Sequence, residues 1–272
     1  MTMANHWQTK ISRVLPGKVI IHGYDHKHLI GGPSYAAGVF LTFRGDLPTP
    51  KEERMMDAML ASLYDHGFVA ASVLAARYCA SGNPQLIPAT AAGLLTAGSN
   101  TINPQHGCDF ILEAWALMKR EGLSMEETAR RVVGERRAAK QRIPGFGHPT
   151  HKSEDFRATK LWEIAEECGF VGERTRLYQA INAEFRRATG REICINVDGA
   201  LACIGMEMGF KPIHIAAIAA LAVLPGIMAH VIEEIEEGVP LRVIRDEDMD
   251  YLGAAERPMP ADAEPAPMAP VT

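Results

Sequence analysis

Apolar positions recur at three- and four-residue intervals over most of this chain, the spacing that lines one face of an α-helix. Met55, Met56, Met59, Leu60 and Leu63 form one such stripe, behind Pro48, Pro50 and the Lys51-Glu52-Glu53 start. Proline is tolerated in a first turn, and carboxylates there meet the positive end of the helix dipole. Apolar runs over 69–78 and 85–95 predict two more helices, and 108–120 another. Ser124 and Glu127 make a capping box, so a polar helix is expected from there to about Lys140. Leu161, Ile164 and Ala165 mark one further helix; Leu177, Ile181 and Phe185 mark the next, stopped near Gly190. Small residues from Gly199 to Gly205 predict a helix packed very closely on a neighbour. The stretch 213–237 reads as a long apolar helix, bent at Pro225 and ended by Gly238. Strand signals are few, with 193–197 the best, and 11–30 reads as an irregular or weakly extended entry segment. The fold class is therefore all-α.

Composition narrows the function. The 272 residues suffice for a real core, and a formal charge of -5 suggests no polyanion partner. Arg130-Arg131 and Arg136-Arg137 alternate with Glu127 and Glu135, as on a solvated helix face, so no nucleic-acid surface is expected. The apolar run 213–229 is short for a bilayer and carries His214 and Pro225, which favours a buried core helix over a membrane span. Cys79, Cys108, Cys168, Cys194 and Cys203 include no C-x-x-C pair, so neither a metal nor a disulfide framework is expected, and reduced thiols suit a cytoplasmic protein. The stretch 254–272, rich in Ala and Pro, reads as a disordered tail.

Four short constellations carry candidate chemistry: Asp65-His66-Gly67, Gln105-His106-Gly107, Gly145-Phe146-Gly147-His148 and Asn196-Val197-Asp198-Gly199. Each alone admits a plain reading, a helix-terminal histidine or an Asp-Gly turn. Together they supply three histidines and one carboxylate, with Lys152 and Arg157 close by in sequence. That set suits enolisation beside a carbonyl, in which a carboxylate removes a carbon-bound proton and histidines donate to developing oxyanions. It suits a metal less, since no pair of these histidines has helix-ligand spacing.

The order D-H-G, H-G, P-G-F-G-H-x-x-x-K-x-x-D-x-R and N-V-D resembles the citrate synthase superfamily, closest to the citryl-CoA lyases and the C-terminal citryl-CoA-cleaving module of ATP-citrate lyase. The likeness covers about residues 11–253. It implies a large helical domain built from 1–107 and 211–253, a smaller inserted CoA-binding domain at 108–210, and a homodimer or higher homo-oligomer whose halves close over substrate. Carried over residue by residue, Asp198 would be the base acting on the acetyl-CoA methyl group. His106 would donate to the thioester oxygen and His148 to the 2-oxo group. His66, Arg157 and Arg245 would hold substrate carboxylates. Lys152 would meet CoA phosphate, with Gly145, Phe146 and Gly147 along the cofactor. Coenzyme A enters as acyl-CoA substrate or product, a 2-oxo acid such as oxaloacetate is the other partner, and no metal is implied.

Two positions depart from the pattern. His22-Gly23-Tyr24 stands where the family usually has Arg-Gly-Tyr, and Val223 stands where the long helix usually carries an arginine. The expected activity is cleavage of citryl-CoA or a related 3-hydroxyacyl-CoA, or its reverse, a Claisen condensation. A citrate or methylcitrate synthase with thioester hydrolysis and a catalytically silent CoA-binding subunit are the alternatives.

Overall fold

The computed structural model describes residues 7–259. Residues 11–30, read above as irregular, instead form a three-stranded antiparallel sheet: β1 (Ser12–Leu15), β2 (Lys18–Ile21) and β3 (Tyr24–Asp25), with Ser12 opposite Ile21 and Ile20 opposite Asp25. Its strands run only two to four residues, too few to show alternation. A single turn, α1 (His26–Leu29), follows.

The other long elements of the described residues are helices: α2 (Tyr35–Arg44), α3 (Pro50–Ala61), α4 (Ala71–Gly82), α5 (Leu86–Leu94), α6 (Pro104–Glu121), α7 (Met125–Ala138), α8 (Phe156–Cys168), α9 (Glu173–Thr189), α10 (Val197–Glu207) and α11 (Pro212–Glu237). The caps explain the boundaries. Thr49 with Glu52 and Ser124 with Glu127 form reciprocal capping boxes, while Gly122, Gly169 and Gly190 end α6, α8 and α9 in the left-handed conformation. The strand expected at 193–197 is absent: Ile195 makes a lone bridge to Phe146, and the neighbouring amides serve the turn described below.

Helix α11 is the central column, packed on α3, α4, α5, α6 and α10. Ile215, Ile218, Ala219, Ile227 and Val231 are buried along it, as are Met55, Met56 and Met59 of α3. Burying each large side chain is worth about 1.5–3 kcal/mol. On α10 the small residues do what their sequence predicts, since a Cβ on Gly107 of α6 would press on Ala202 at 3.1 Å. Near the end of α11, the buried carboxylate of Glu234 accepts from Arg77 Nε (2.7 Å) and Arg242 Nε (2.6 Å), pinning that end and the segment after it to α4. Residues 254–259 are exposed and irregular; the rest of the expected disordered tail lies outside the described residues.

Candidate active site

The turn that begins at Pro144 is built around a buried phenol. Gly145 and Gly147 take φ of 78° and 79°, where a side chain is strained. The Tyr178 hydroxyl of α9 donates to the Pro144 carbonyl (2.5 Å), and burial pushes its pKa well above the usual phenol value, so it remains a donor. A Cβ on Gly145 would overlap that hydroxyl, and one on Gly199 would lie 2.8 Å from it. The backbone completes the lock. Asn196 N donates to Gly145 O (2.9 Å), Gly147 N to Cys194 O (2.8 Å), and Asn196 Nδ2 to Gly147 O (2.8 Å). Phe146 packs its ring on Tyr178 at 5.1 Å. The glycines are thus required by contact and conformation together, and the lock joins the segment carrying His148 to the N-terminus of α10 that carries Asp198.

His148 has a defined tautomer. Its Nδ1 accepts from the amides of Thr150 (3.1 Å) and His151 (3.0 Å), so the hydrogen bonds assign the ring proton to Nε2. Burial first, then the charge of Arg157, brings its pKa down to about 4. The neutral ring directs Nε2–H at His66 Nε2, 3.0 Å away. His66 is lowered by the same two causes and, as the acceptor, carries its proton on Nδ1. His151 stacks on His148 at 4.6 Å. The three rings bring nitrogens within 4.8 Å of one another. A metal-bound imidazole offers its other nitrogen as a donor; His148 does the opposite, which makes the trio a hydrogen-bonding set.

Arg157, in the first turn of α8, is buried and clamped by Asp155, Nε to Oδ1 and Nη2 to Oδ2 at 2.9 Å each. Asp155 also accepts from Val197 N at 3.0 Å. Burial works to raise the Asp155 pKa, but Arg157 and two amides outweigh it and hold the carboxylate low. The outer face of the guanidinium, between its two terminal nitrogens, is left for an anion.

Asp198 and His106 are joined by Asn103. The Asn103 amide donates to Asp198 Oδ2 (3.3 Å), its side-chain oxygen caps His106 N (3.2 Å), and its Nδ2 lies 3.2 Å from His106 Nε2. Donation by that amide leaves the His106 proton on Nδ1. Burial raises the Asp198 pKa against the Asn103 amide and Arg157, making it a stronger base than a solvated aspartate. Ile102, just before, holds φ of 46°, a costly setting for a β-branched residue at about 1–3 kcal/mol.

These residues line one cleft of about 940 Å³, which takes in His66, His106, Gly145, Phe146, Gly147, His148, Lys152, Arg157 and Asp198. Lys140, Arg142, Lys152 and Arg191 are exposed at its edge with no ion pair among the described residues. Arg245 is elsewhere: it is not among the lining residues, and its exposed guanidinium bonds Glu247 at 3.3 Å. His22 is also remote, 3.3 Å from the Thr42 carbonyl. Sequence reasoning missed Asn103 and Tyr178, and gave Asp155, the aspartate of the P-G-F-G-H-x-x-x-K-x-x-D-x-R order, no role. Asn103-Pro104 was legible as a helix cap and Asp155-x-Arg157 as a helix start, but nothing local signals what they hold.

Comparison with known proteins completes the description. Residues 7–246 match the family of the citrate synthase C-terminal domain. The structure of citryl-CoA lyase from Hydrogenobacter thermophilus superposes with a TM-score of 0.84 at 35% identity, covering 93% of this chain and 97% of that one. The Methanosaeta concilii ATP citrate lyase, solved in complex with (3S)-citryl-CoA, superposes at 0.77 with 18% identity over 94% of this chain and 43% of its own, a likeness of fold. The curated citrate synthase of Deinococcus radiodurans is 27% identical over 226 residues, 81% of this chain. The chain spans 57% of that relative's length.

Proposed function

The chain belongs to the citrate synthase family, and on that premise we propose that it is a citryl-CoA lyase-like enzyme. It cleaves a 3-hydroxyacyl-CoA of the citryl-CoA kind to acetyl-CoA and a 2-oxo acid, or forms it by Claisen condensation. The observation that carries the reading is the stitching of His148 and Asp198 onto one cleft by the 144–147 turn.

In the condensing direction Asp198 takes a proton from the thioester methyl group, and His106, through Nδ1–H, stabilises the enolate oxygen. The enolate carbon attacks the 2-oxo carbon while His148 Nε2–H donates to the oxygen that becomes the hydroxyl. Arg157 takes a carboxylate on its outer face, and His66 can offer Nδ1–H to one. Lys152 and its basic neighbours suit the CoA phosphates. Cleavage runs the same steps backwards. Residues 108–210 are our proposed CoA-binding unit, a homodimer our proposed assembly, and Arg245 would act only from a partner's side of such a dimer. The cytoplasm is the proposed compartment.

The test is solvent exchange of the acetyl-CoA methyl protons, followed by mass, with cleavage of the hydroxyacyl thioester measured beside it. Asp198→Asn should remove both, by about 10²–10⁴-fold, with folding retained; an active variant would refute the base. The citrate synthase named among the relatives favours a second reading with thioester hydrolysis. Release of free CoA from acetyl-CoA and oxaloacetate would establish it.

A further inference from the structure

Helix α11 holds the turn that carries His66 by a steric seat and by a hydrogen bond between side chains. Resting on the reading above, we propose that His230 is a positioning residue: through Asp65 it keeps His66 aligned with His148 across the cleft.

The turn is closed locally by Asp65. Its Oδ2 accepts from Gly67 N at 3.1 Å, with Gly67 at a φ of 54°. That bond fixes the shape of the turn but not its place against the rest of the fold. Place comes from α11. A Cβ on Gly226 would overlap the Tyr64 carbonyl oxygen and come within 2.9 Å of Asp65 Oδ1, so the helix sits directly on the turn. Four residues on, along the same face and about 6 Å further up the helix, His230 Nε2 lies 3.1 Å from that same Asp65 Oδ1. A carboxylate only accepts, so Nε2 carries a proton and His230 is the donor. Contact at Gly226 stops the turn from moving toward the helix, and the His230 bond stops it from moving away.

His230 is itself held. Its Nδ1 is 3.5 Å from Glu233 Oε2, and the Phe68 ring packs on it at 5.7 Å. Arg77 joins Glu233 to the buried Glu234 and lies over Phe68 at 5.1 Å. His66 gains from such a mount because its ring must meet a partner from a distant segment. Its Nε2 accepts from His148 Nε2–H over 3.0 Å, 82 positions away in the chain. His148 is fixed on its own side by the 144–147 turn, so slack in the pair would arise on the side of His66. A misplacement of about 1 Å can cost about 10²-fold in rate.

The test compares His230→Gln with His230→Asn in the full-length protein. Glutamine can set an amide N–H where Nε2 stands, whereas asparagine reaches only as far as Nδ1. With isotopically labelled histidine, the ring nitrogens of His66, assigned by their loss in His66→Gln, are followed by NMR. One bare and one protonated signal should appear in the wild type and in His230→Gln, and His230→Asn should average them. In turnover, His230→Asn should lower kcat/KM for cleavage of the hydroxyacyl thioester at least tenfold and leave methyl-proton exchange of acetyl-CoA within twofold. His230→Gln should recover most of that loss. Unchanged His66 signals in His230→Asn, or a glutamine variant no better than the asparagine one, overturns the proposal and leaves the lyase reading standing. No cleavage and no exchange by the wild type would sink that reading, and the ring signals would still decide what His230 does.

Discussion

The two sides of the cleft are held by different means. His148 is fixed from behind by two amides on Nδ1, by a turn whose carbonyls are bound to Asn196 and Tyr178, and by a stacked His151. The side chains of His106 and Asp198 share one hydrogen-bonding partner, Asn103, beside a strained Ile102, and His106 is exposed. The difference matches the tasks proposed for them. A donor to a developing oxyanion gains most from being set before substrate arrives. The thioester these two would meet is long and flexible, and it needs the exposed side of the cleft on which His106 stands.

Removing the rigid donor should have the largest effect. His148→Gln should lower kcat by about 10²–10³-fold while leaving acyl-CoA binding, read by calorimetry, nearly unchanged. Next comes the strut behind it. Tyr178→Phe strands the half-buried Pro144 carbonyl and should cost about 1–3 kcal/mol in denaturant unfolding, with the loss of rate following the 2-oxo acid rather than the thioester. On the open side, Asn103→Ala should cost less: about 1 kcal/mol of helix cap, and a drop of about tenfold in methyl exchange as His106 and Asp198 lose their shared partner. If Asn103→Ala proved worse than His148→Gln, the contrast between the sides would fail.

The smallest effect is in pH. An unperturbed histidine in the unfolded chain gains its proton near pH 6.5, whereas folded His148 refuses one until about pH 4. Its contribution to stability is therefore complete above 6.5 and is lost as pH falls toward 4. Unfolding free energies at pH 7 and pH 5 should differ less in His148→Gln than in the wild type, and wild-type kcat should show no His148 inflection between pH 6 and 7.

Most of the helices were legible because their signals are local. Ser124-x-x-Glu127 and the Gly190 stop lie within a few residues of what they define. Helix α2 was missed although Ser34 caps it, because its sequence is apolar almost all round and gives no clear stripe. The β-branched run at 193–197 looked like a strand, yet its backbone groups are spent on the glycine turn some fifty residues earlier. The same distance separates the visible from the hidden in the site. His66, His106, His148, Asp198, Arg157 and Lys152 could be named from motifs, and all of them line one cleft. The residues that hold them could not: Asn103 reaches Asp198 across 95 positions and Tyr178 reaches Pro144 across 34.

Gly226 ties α11 to the turn that carries His66. A Cβ there would overlap the Tyr64 carbonyl oxygen, so the helix that brings Val223 and Ile227 to the cleft and the turn before His66 share one point of reference with no room for even a methyl group. Any change that tilts α11 also displaces His66 relative to His148. Reshaping the cleft by moving the helix would therefore disturb the histidine pair, whereas a side-chain swap at Val223 that leaves the helix seated would not. The helix can be resurfaced but not shifted.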